Sequence, residues 1–166
     1  MDQNHKFRGR KVRPLIPLIR EADAGDIQEI LFLYEQLFLN TDQAEENRAT
    51  IIREHEKAFF EIKQNPNHHL LVAEVEGIVA GTLAIIIIPN LSHMGKPWAI
   101  IEDVIVDRSC RRFGVGSLLM QRAIQLAKEH DCFRVILSSS KQRDGSHKFY
   151  ESVGLEAYGY SFKVHL

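Results

Sequence analysis

The segment from Cys110 to Met120 carries residue types that are suited to holding an anion. It follows an apolar run, Val104 to Val106, which predicts a strand, and it opens an amphipathic helix. Glycines at 114 and 116 let the backbone approach a ligand closely. The first N–H groups of a helix lack intrahelical partners and carry partial positive charge. With the cationic side chains of Arg111 and Arg112, the segment is predicted to bind phosphate groups; an ordinary basic turn is the alternative.

Two common phosphate-binding motifs do not fit this segment. A P-loop requires Gly-Lys followed by Ser or Thr, whereas Gly116 is followed by Ser117 and Leu118. The dinucleotide fingerprint requires a third glycine three residues after the second, and that position is Leu119. The pattern that remains is Arg111-x-x-Gly114-x-Gly116.

The rest of the chain predicts the elements that would position this loop. Helical spacing of apolar residues indicates four helices, at 27–38, 44–63, 115–127 and 144–152. Asp23 is the expected N-cap of the first, with acidic Asp26 three residues on. Strands are predicted at 15–20, 70–75, 78–88, 98–106 and 135–137, followed at 155–166 by a pair of strands or one bent strand. The fold class is therefore α/β (α+β), a mixed sheet with helices on both faces, in the order β-α-α-β-β-β-α-β-α-β.

Composition bounds the function classes. A chain of 166 residues with 45% hydrophobic and 26% charged residues is expected to form one soluble domain, which we place at residues 14–166. A net charge of −1 argues against a general nucleic-acid binder. Basic side chains crowd the first thirteen residues, and we expect residues 1–13 to form a solvated, partly ordered arm.

Location and metal use are predicted from what the chain lacks. The longest apolar run, Leu83 to Ile88, ends at Pro89 and is too short to cross a membrane. Cys110 and Cys132 are isolated, which is typical of a reducing cytoplasm. Neither the cysteines nor the eight histidines show metal-ligand spacing, so no metal is expected.

Two motifs together give the chain a family resemblance. The Arg111 to Gly116 pattern resembles the pyrophosphate-binding motif of the GNAT superfamily of acetyl-CoA-dependent N-acetyltransferases. The segment from Ser146 to Leu155, with Phe149-Tyr150 on a short helix before Gly154, resembles the late motif of the same family. The resemblance extends from Leu15 to the C-terminus. It implies the GNAT fold, acetyl-CoA as cosubstrate, and a position near the thioester sulfur for the Tyr150 hydroxyl.

The resemblance also implies which residues hold acetyl-CoA. They comprise the end of the strand, the glycine loop, the first turn of the helix after it and polar or aromatic positions near the second motif: Val104, Ile105, Val106, Arg111, Arg112, Phe113, Gly114, Val115, Gly116, Ser117, Ser139, Arg143, His147 and Phe149.

Acetyl transfer to an amine sets further requirements. A primary amine has a reference pKa of about 10, so it must lose a proton before it attacks a thioester. Glu102 is our preferred base, with Asp103 second, although both could instead bind the substrate ammonium. In a regular strand these side chains point to opposite faces, and a bulge would alter that. N–H groups near residues 104–106 could stabilise the oxyanion, and Tyr150 could protonate the departing thiolate.

Two narrower resemblances concern the acceptor. Ile101-Glu102-Asp103 is similar to the matching stretch of glucosamine-6-phosphate N-acetyltransferases, although Ser138 to Ser140 replace an acidic residue of those enzymes. Ser138 to Arg143 with the second motif resembles aminoalkylphosphonate N-acetyltransferases, in which Ile100 would be acidic. Both imply a small amine bearing an anionic group. The candidates to hold that group are Arg143, Lys141, His147 and Lys96.

The predicted function is therefore a cytoplasmic N-acetyltransferase that transfers acetyl from acetyl-CoA to a small primary amine by direct attack in a ternary complex. The alternatives are a protein or peptide amine acceptor and a non-catalytic acetyl-CoA-binding sensor. The apolar side chains of Phe162, Val164 and Leu166 would leave the last strand adhesive, which predicts a homodimer. No membrane or nucleic-acid partner is expected.

Overall fold

The computed structural model describes residues 16–37 and 48–164. Its elements in chain order are β1 (Leu18–Glu21), α1 (Ile27–Leu37), α2 (Arg48–Gln64), β2 (His68–Val75), β3 (Ile78–Ile88), β4 (Trp98–Val106), α3 (Val115–Glu129), β5 (Val135–Leu137) and α4 (Asp144–Ser152). The basic arm and residues 44–47, where the second helix was expected to begin, lie outside the described residues.

The strands form one five-stranded sheet in the order β1-β2-β3-β4-β5. The first four are antiparallel neighbours, and β5 pairs with β4 in parallel. Glu76 and Gly77 both have positive φ, of 51° and 79°, which is the backbone of the tight turn that joins β2 to β3. The central strand β3 is buried along nearly its whole length, as its continuous apolar run predicts.

Helices cover both faces of the sheet, which confirms the predicted fold class. On one face α3 packs over β2, β3 and β4 with its buried side chains, and the aromatic residues of α4 add to the same core. On the other face α1 and α2 enclose a second core, in which Ile30, Leu33 and Phe59 meet Val72 and Ile105. Two apolar layers therefore hold β4 from both sides.

The predicted start of the first helix is also confirmed. The Asp23 carboxylate accepts from the Gly25 N–H at 2.8 Å, and the Asp26 carboxylate accepts from the Asp23 N–H at 2.8 Å. These reciprocal bonds form a capping box over a short 3₁₀ turn that leads into α1. Among residues 16–37 and 48–164, no helix has the length and apolar character needed to span a membrane.

The predicted terminal strand is wrong for the residues that the structure describes. From residue 153 to 164 the chain has no strand, and Leu166 lies outside the described residues. Tyr158, Tyr160, Phe162 and Val164 are 80–92% exposed. Their alternation with polar residues suits a strand, but a strand also needs a paired neighbour and a packed face, and this segment has neither within the described chain.

Candidate active site

A bulge in β4 shapes the centre of the site. Thr82 of β3 lies opposite Ile105, while Ala84 lies opposite Glu102. Three steps along β4 therefore oppose two steps along β3, so β4 carries one extra residue. Asp103 has a φ of 52°, in the left-handed region that a short polar side chain tolerates. The extra residue is thus placed next to the two candidate carboxylates.

The bulge changes which way the side chains of β4 point. Ile101 and, beyond the bulge, Val104 pack toward the core under α3, while Ile105 packs into the core under α1. Glu102 and Asp103 both line one cleft. The inserted residue breaks the alternation of a regular strand, so sequence parity alone does not place the two carboxylates on opposite faces.

The cleft opens where β4 and β5 separate. Their ladder runs only from Ala99–Val135 to Ile101–Leu137, after which the two chains diverge. The gap has a volume of about 120 Å³. It is lined by Ile101, Glu102, Asp103, Val104, Leu137, Ser138, Ser139, Ser140, Arg143 and Tyr150. All three predicted catalytic residues and three predicted cofactor residues thus share this cleft.

The two carboxyl groups have altered acidity. Burial, and to a smaller extent the charge of Asp103, raises the pKa of Glu102. Burial also raises the pKa of Asp103. Both groups are therefore easier to protonate than exposed carboxyls, which suits a group that must accept a proton from an amine.

Tyr150 faces these carboxylates from α4. Burial raises the pKa of its phenol, with the Arg143 guanidinium opposing and the Glu102 carboxylate adding to the shift. Its ring is 5.4 Å from that of Phe149, measured between centroids. The hydroxyl consequently stays protonated near neutral pH and can donate a hydrogen bond or a proton into the cleft.

The glycine loop has the backbone that an anion cradle requires. Gly114 caps α3 with a φ of 83°, and the ladder of α3 begins with the bond from the Leu118 N–H to the Gly114 carbonyl, at 3.1 Å. The N–H groups of residues 115–117 precede that bond and have no intrahelical acceptor. Arg112 is exposed, and Arg111 donates through Nε to the Val106 carbonyl at 3.0 Å, which ties its guanidinium to the end of β4.

Gly116 allows close packing between this loop and the second motif. A Cβ at that position would lie 3.1 Å from Cζ of Phe149 and 3.4 Å from Cγ2 of Val106. The Phe149 ring therefore supports the helix start from below. Phe149 does not line the cleft, and its predicted contact with the cofactor stays a prediction.

Several other predicted cofactor residues do not line the cleft. The side chains of Ile105 and Val115 are buried in the two cores, so only their backbones can reach a ligand. Phe113 is 58% exposed, and Ser117 is half-buried on the first turn of α3. His147 donates through Nε2 to the Ser140 carbonyl at 2.9 Å, which fixes the start of α4.

Of the lysines considered for an anionic acceptor, neither lines the cleft. Lys96, which precedes β4 in the sequence, forms an ion pair with Asp131, with 2.9 Å between Nζ and Oδ1. Lys141 lies 5.5 Å from the ring centroid of Tyr160. Arg143 is the predicted cation that remains at the cleft.

The sequence reasoning missed two residues of α1. Tyr34 approaches Asp103, and burial together with that carboxylate raises the pKa of its phenol. Gln36 donates to Asp107 in the loop between β4 and α3, at 2.9 Å. Helical spacing marked Tyr34 only as a core position, and nothing local in the sequence pairs Gln36 with a residue 71 positions away.

Comparison with known proteins matches this geometry to one family. The model of the acetyltransferase (GNAT) family matches residues 30–155 of the chain. A glucosamine 6-phosphate N-acetyltransferase from Trypanosoma brucei brucei is 32% identical over 90 residues, which cover 54% of this chain and 59% of that protein. The chain therefore spans less than two thirds of that relative's length.

Solved structures match more of the chain. A crystal structure of a protein described as a transcriptional regulator, from Bacillus halodurans, is 32% identical and superposes with a TM-score of 0.82, covering 91% of this chain and 100% of that one. A glucosamine-6-phosphate N-acetyltransferase from Arabidopsis thaliana has the same fold at 23% identity, with a TM-score of 0.74 and coverage of 90% and 98%.

Proposed function

Because the chain belongs to the acetyltransferase (GNAT) family, we propose that it transfers the acetyl group of acetyl-CoA to the primary amine of a small molecule. One observation carries this proposal. Glu102 and Asp103, at the β4 bulge, and Tyr150 of α4 line a single cleft between β4 and β5. The cleft thus holds two carboxylates that can accept a proton and a phenol that can donate one, as the transfer requires.

The start of α3 fits the pyrophosphate of acetyl-CoA. Three backbone N–H groups without helical acceptors, the left-handed Gly114 and the exposed side chains of Arg111 and Arg112 lie together there. Val106 and Gly116 pack at the junction between this loop and β4. With the pyrophosphate bound there, the acetyl group would lie in the cleft where β4 and β5 separate.

The proton transfers follow from the positions of the side chains. Glu102 accepts the proton of the substrate ammonium, directly or through water, and Asp103 raises its basicity. The amine nitrogen then attacks the acetyl carbon to give a tetrahedral oxyanion, and this intermediate collapses with cleavage of the carbon–sulfur bond. Tyr150 donates a proton to the departing thiolate, and its phenolate takes the second proton of the amine nitrogen, directly or through water, while the proton held by Glu102 passes to solvent. Because attack is direct, both substrates are bound at once and no covalent enzyme intermediate forms.

Backbone N–H groups support the charge that develops on the acetyl oxygen. β5 pairs with β4 only as far as Ile101. N–H groups on the β5 side of residues 104–106 therefore have no strand partner and are available to an oxyanion.

The acceptor is a small amine that carries an anionic group. Arg143 lines the same cleft as the two carboxylates, so the cleft holds groups that attract an ammonium and a group that attracts an anion. The similarity to glucosamine 6-phosphate N-acetyltransferases supports the same class. The reducing, cytoplasmic location predicted from the two cysteines, both of which are unpaired, stays a prediction.

A panel of amines tests this function. Release of CoA thiol is followed with glucosamine 6-phosphate, an aminoalkylphosphonate, an aminoglycoside and a peptide with a free N-terminus. We expect turnover with a phosphorylated or phosphonylated small amine and intersecting double-reciprocal plots, which are the pattern of a ternary complex. Turnover confined to the peptide would shift the acceptor to proteins. Tight binding of acetyl-CoA without turnover of any amine would favour a sensor.

A further inference from the structure

Gln36, in the last turn of α1, joins this helix to the loop that precedes the glycine cradle. Its Nε2 donates to Oδ2 of Asp107 at 2.9 Å, and its Oε1 accepts from the Arg108 N–H at 3.3 Å. Both the nitrogen and the oxygen of the amide therefore form hydrogen bonds, and their partners are the consecutive residues Asp107 and Arg108. We call this pair of bonds the Gln36 clasp.

The other side of the clasp is firmly held. Asp107 also accepts from the N–H of Ser109 at 2.8 Å and from its hydroxyl. The Asp107 N–H donates to the Ala80 carbonyl at 2.9 Å, and its carbonyl accepts from the Cys110 N–H at 2.9 Å. Although burial opposes ionisation, the bonds from Ser109 and Gln36 lower the pKa of Asp107. The clasp therefore ends on a charged, immobilised turn that leads directly into Arg111.

The helix side of the clasp reaches the acceptor side of the site. α1 packs against β3 and β4, and Tyr34 lies two residues before Gln36. Tyr34 is half-buried beside the second core and approaches Asp103 at the bulge. One short stretch of α1 thus contacts both the bulge that carries the carboxylates and the loop that begins the anion cradle.

From this geometry we infer that Gln36 is a positioning residue that links the acetyl-CoA loop to the wall formed by Tyr34 and Asp103. The inference rests on the proposed acetyl-CoA binding at α3. Occupation of the cradle would restrain the glycine loop, and the turn at Asp107, which is already held, would transmit that restraint through the clasp to α1. Binding of acetyl-CoA and organisation of the acceptor side are then coupled rather than independent.

The chemistry of the clasp requires an amide facing a carboxylate. In Gln36→Glu one acceptor bond, from the Arg108 N–H, can persist, but the donor to Asp107 is lost and two carboxylates face each other. In the double variant Gln36→Glu/Asp107→Asn the amide and the carboxylate exchange places, so a donor again meets an acceptor. The Asn oxygen can still accept from Ser109. The exchange therefore restores the clasp while keeping both substitutions.

Calorimetric titration with acetyl-CoA at pH 8 tests the clasp. We expect Gln36→Glu to weaken binding about 5- to 30-fold and the double variant to return to within about threefold of wild type. The loss of acetyl-CoA affinity in Gln36→Glu should become smaller as the pH falls, because protonation of one of the two facing carboxyls restores a hydrogen-bond donor. Gln28→Glu, on the exposed side of α1, is the matched control and should bind normally.

Hydrogen exchange provides the readout that a merely structural role would not move. In wild type, acetyl-CoA should slow exchange of the α1 amides, and this protection should be lost in Gln36→Glu and regained in the double variant. Equal affinity and equal protection in wild type and Gln36→Glu would overturn the clasp. Absence of acetyl-CoA binding in wild type would instead overturn the proposed function, so the two failures are distinguishable.

Discussion

Glu102 and Asp103 are neighbours in sequence that act on each other through charge. Both are desolvated, and the Asp103 carboxylate further raises the pKa of Glu102. Tyr34 and Tyr150 approach the pair from α1 and α4, respectively. At the scale of residues, the carboxylate of Asp103 raises the pKa of Glu102 and of Tyr34, and the carboxylate of Glu102 raises the pKa of Tyr150, in each case in addition to burial.

The first prediction concerns the phenol. Tyr150→Phe keeps the ring and its contact with Phe149 but removes the hydroxyl that would protonate the thiolate. Turnover should fall by about 10²–10⁴-fold, the range of general acid–base catalysis, while the affinity for acetyl-CoA stays close to wild type. Steady-state kinetics and calorimetry measure the two quantities. Wild-type turnover in Tyr150→Phe would make this residue a packing aromatic only.

The second prediction uses the pH dependence of kcat/KM. Glu102 must be ionised to accept a proton, so its raised pKa places the acidic limb at a higher pH than for an ordinary carboxyl. Asp103→Asn removes the neighbouring charge, lowers the pKa of Glu102 and should move this limb to lower pH. Asn tolerates the left-handed backbone at this position, so the bulge should persist.

Glu102→Gln should give the larger loss of rate, because no base remains on the preferred position. A greater loss in Asp103→Asn than in Glu102→Gln would assign the base to Asp103. An acidic limb that stays at the same pH in Asp103→Asn would contradict the electrostatic coupling of the pair.

The reaction's demand for a base pointed to Glu102 and Asp103, and the family resemblance of the second motif pointed to Tyr150; these roles stay predictions. That the two carboxylates line one cleft could not be predicted, because the course of β4 depends on its one-residue bulge. That bulge is visible only in the register with β3, and a register is a long-range property. The contacts of Tyr34 and Gln36 were not predicted for the same reason, because their partners are distant along the chain.

At the scale of elements, the site exists because two strands separate and one helix begins beside them. β5 is only three residues long, so the parallel ladder ends at Ile101 and leaves the cleft open. α3 starts at Val115 directly after the left-handed Gly114. The acetyl end of the cosubstrate would therefore lie in the cleft between β4 and β5, and the pyrophosphate would lie at the start of α3. Both regions adjoin β4.

The third prediction concerns the glycine loop. In Gly114→Val a β-branched residue must adopt a φ near 83°, which strains the turn, and its side chain would occupy space beside the proposed pyrophosphate site. Binding of acetyl-CoA should weaken by about 1–3 kcal/mol. Gly95→Val is the matched control, since Gly95 has a φ of 77°, equally open surroundings and a position in the loop before β4. Calorimetry should show loss of affinity only in Gly114→Val, and equal losses in both would remove the cradle from the mechanism.

The elements themselves were predicted well where periodicity was strong. β3, β4, β5 and α4 have the bounds expected from the sequence. For β3 and β4 the apolar pattern coincides with burial in the cores, and the apolar residues of β5 and α4 are partly buried against the core under α3. The prediction of a terminal strand failed because alternating aromatic residues form a strand only when a neighbouring strand pairs with them. The apolar pattern from Tyr158 to Val164 is present, but the described chain offers it no ladder.

At the scale of the whole molecule, the terminal segment is the most unusual surface. Four large apolar side chains between residues 158 and 164 are 80–92% exposed. The segment runs near the cleft, because Ser161 Oγ lies 3.2 Å from Ser138 Oγ. A large exposed apolar stretch of this kind is typical of an interaction site.

The fourth prediction is that the chain forms a homodimer through this segment. Burial of the exposed aromatic side chains against a second copy would provide the packing that they lack in one chain. Sedimentation velocity at tens of micromolar should give about twice the 19.1 kDa of a single chain. Phe162→Asp/Val164→Asp should shift the species to the monomer. A monomeric wild type would contradict the prediction.

Acetyl transfer itself is the central claim, and its two products test it most directly. Acetyl-CoA and the preferred amine from the panel are mixed with the protein, and the acetylated amine and free CoA are quantified together by mass spectrometry. We predict that both form in equal amounts, that neither forms without the amine, and that Tyr150→Phe slows both alike. Free CoA without acetylated amine, or no product from any amine, would contradict the assignment of this cleft as an acetyltransferase active site.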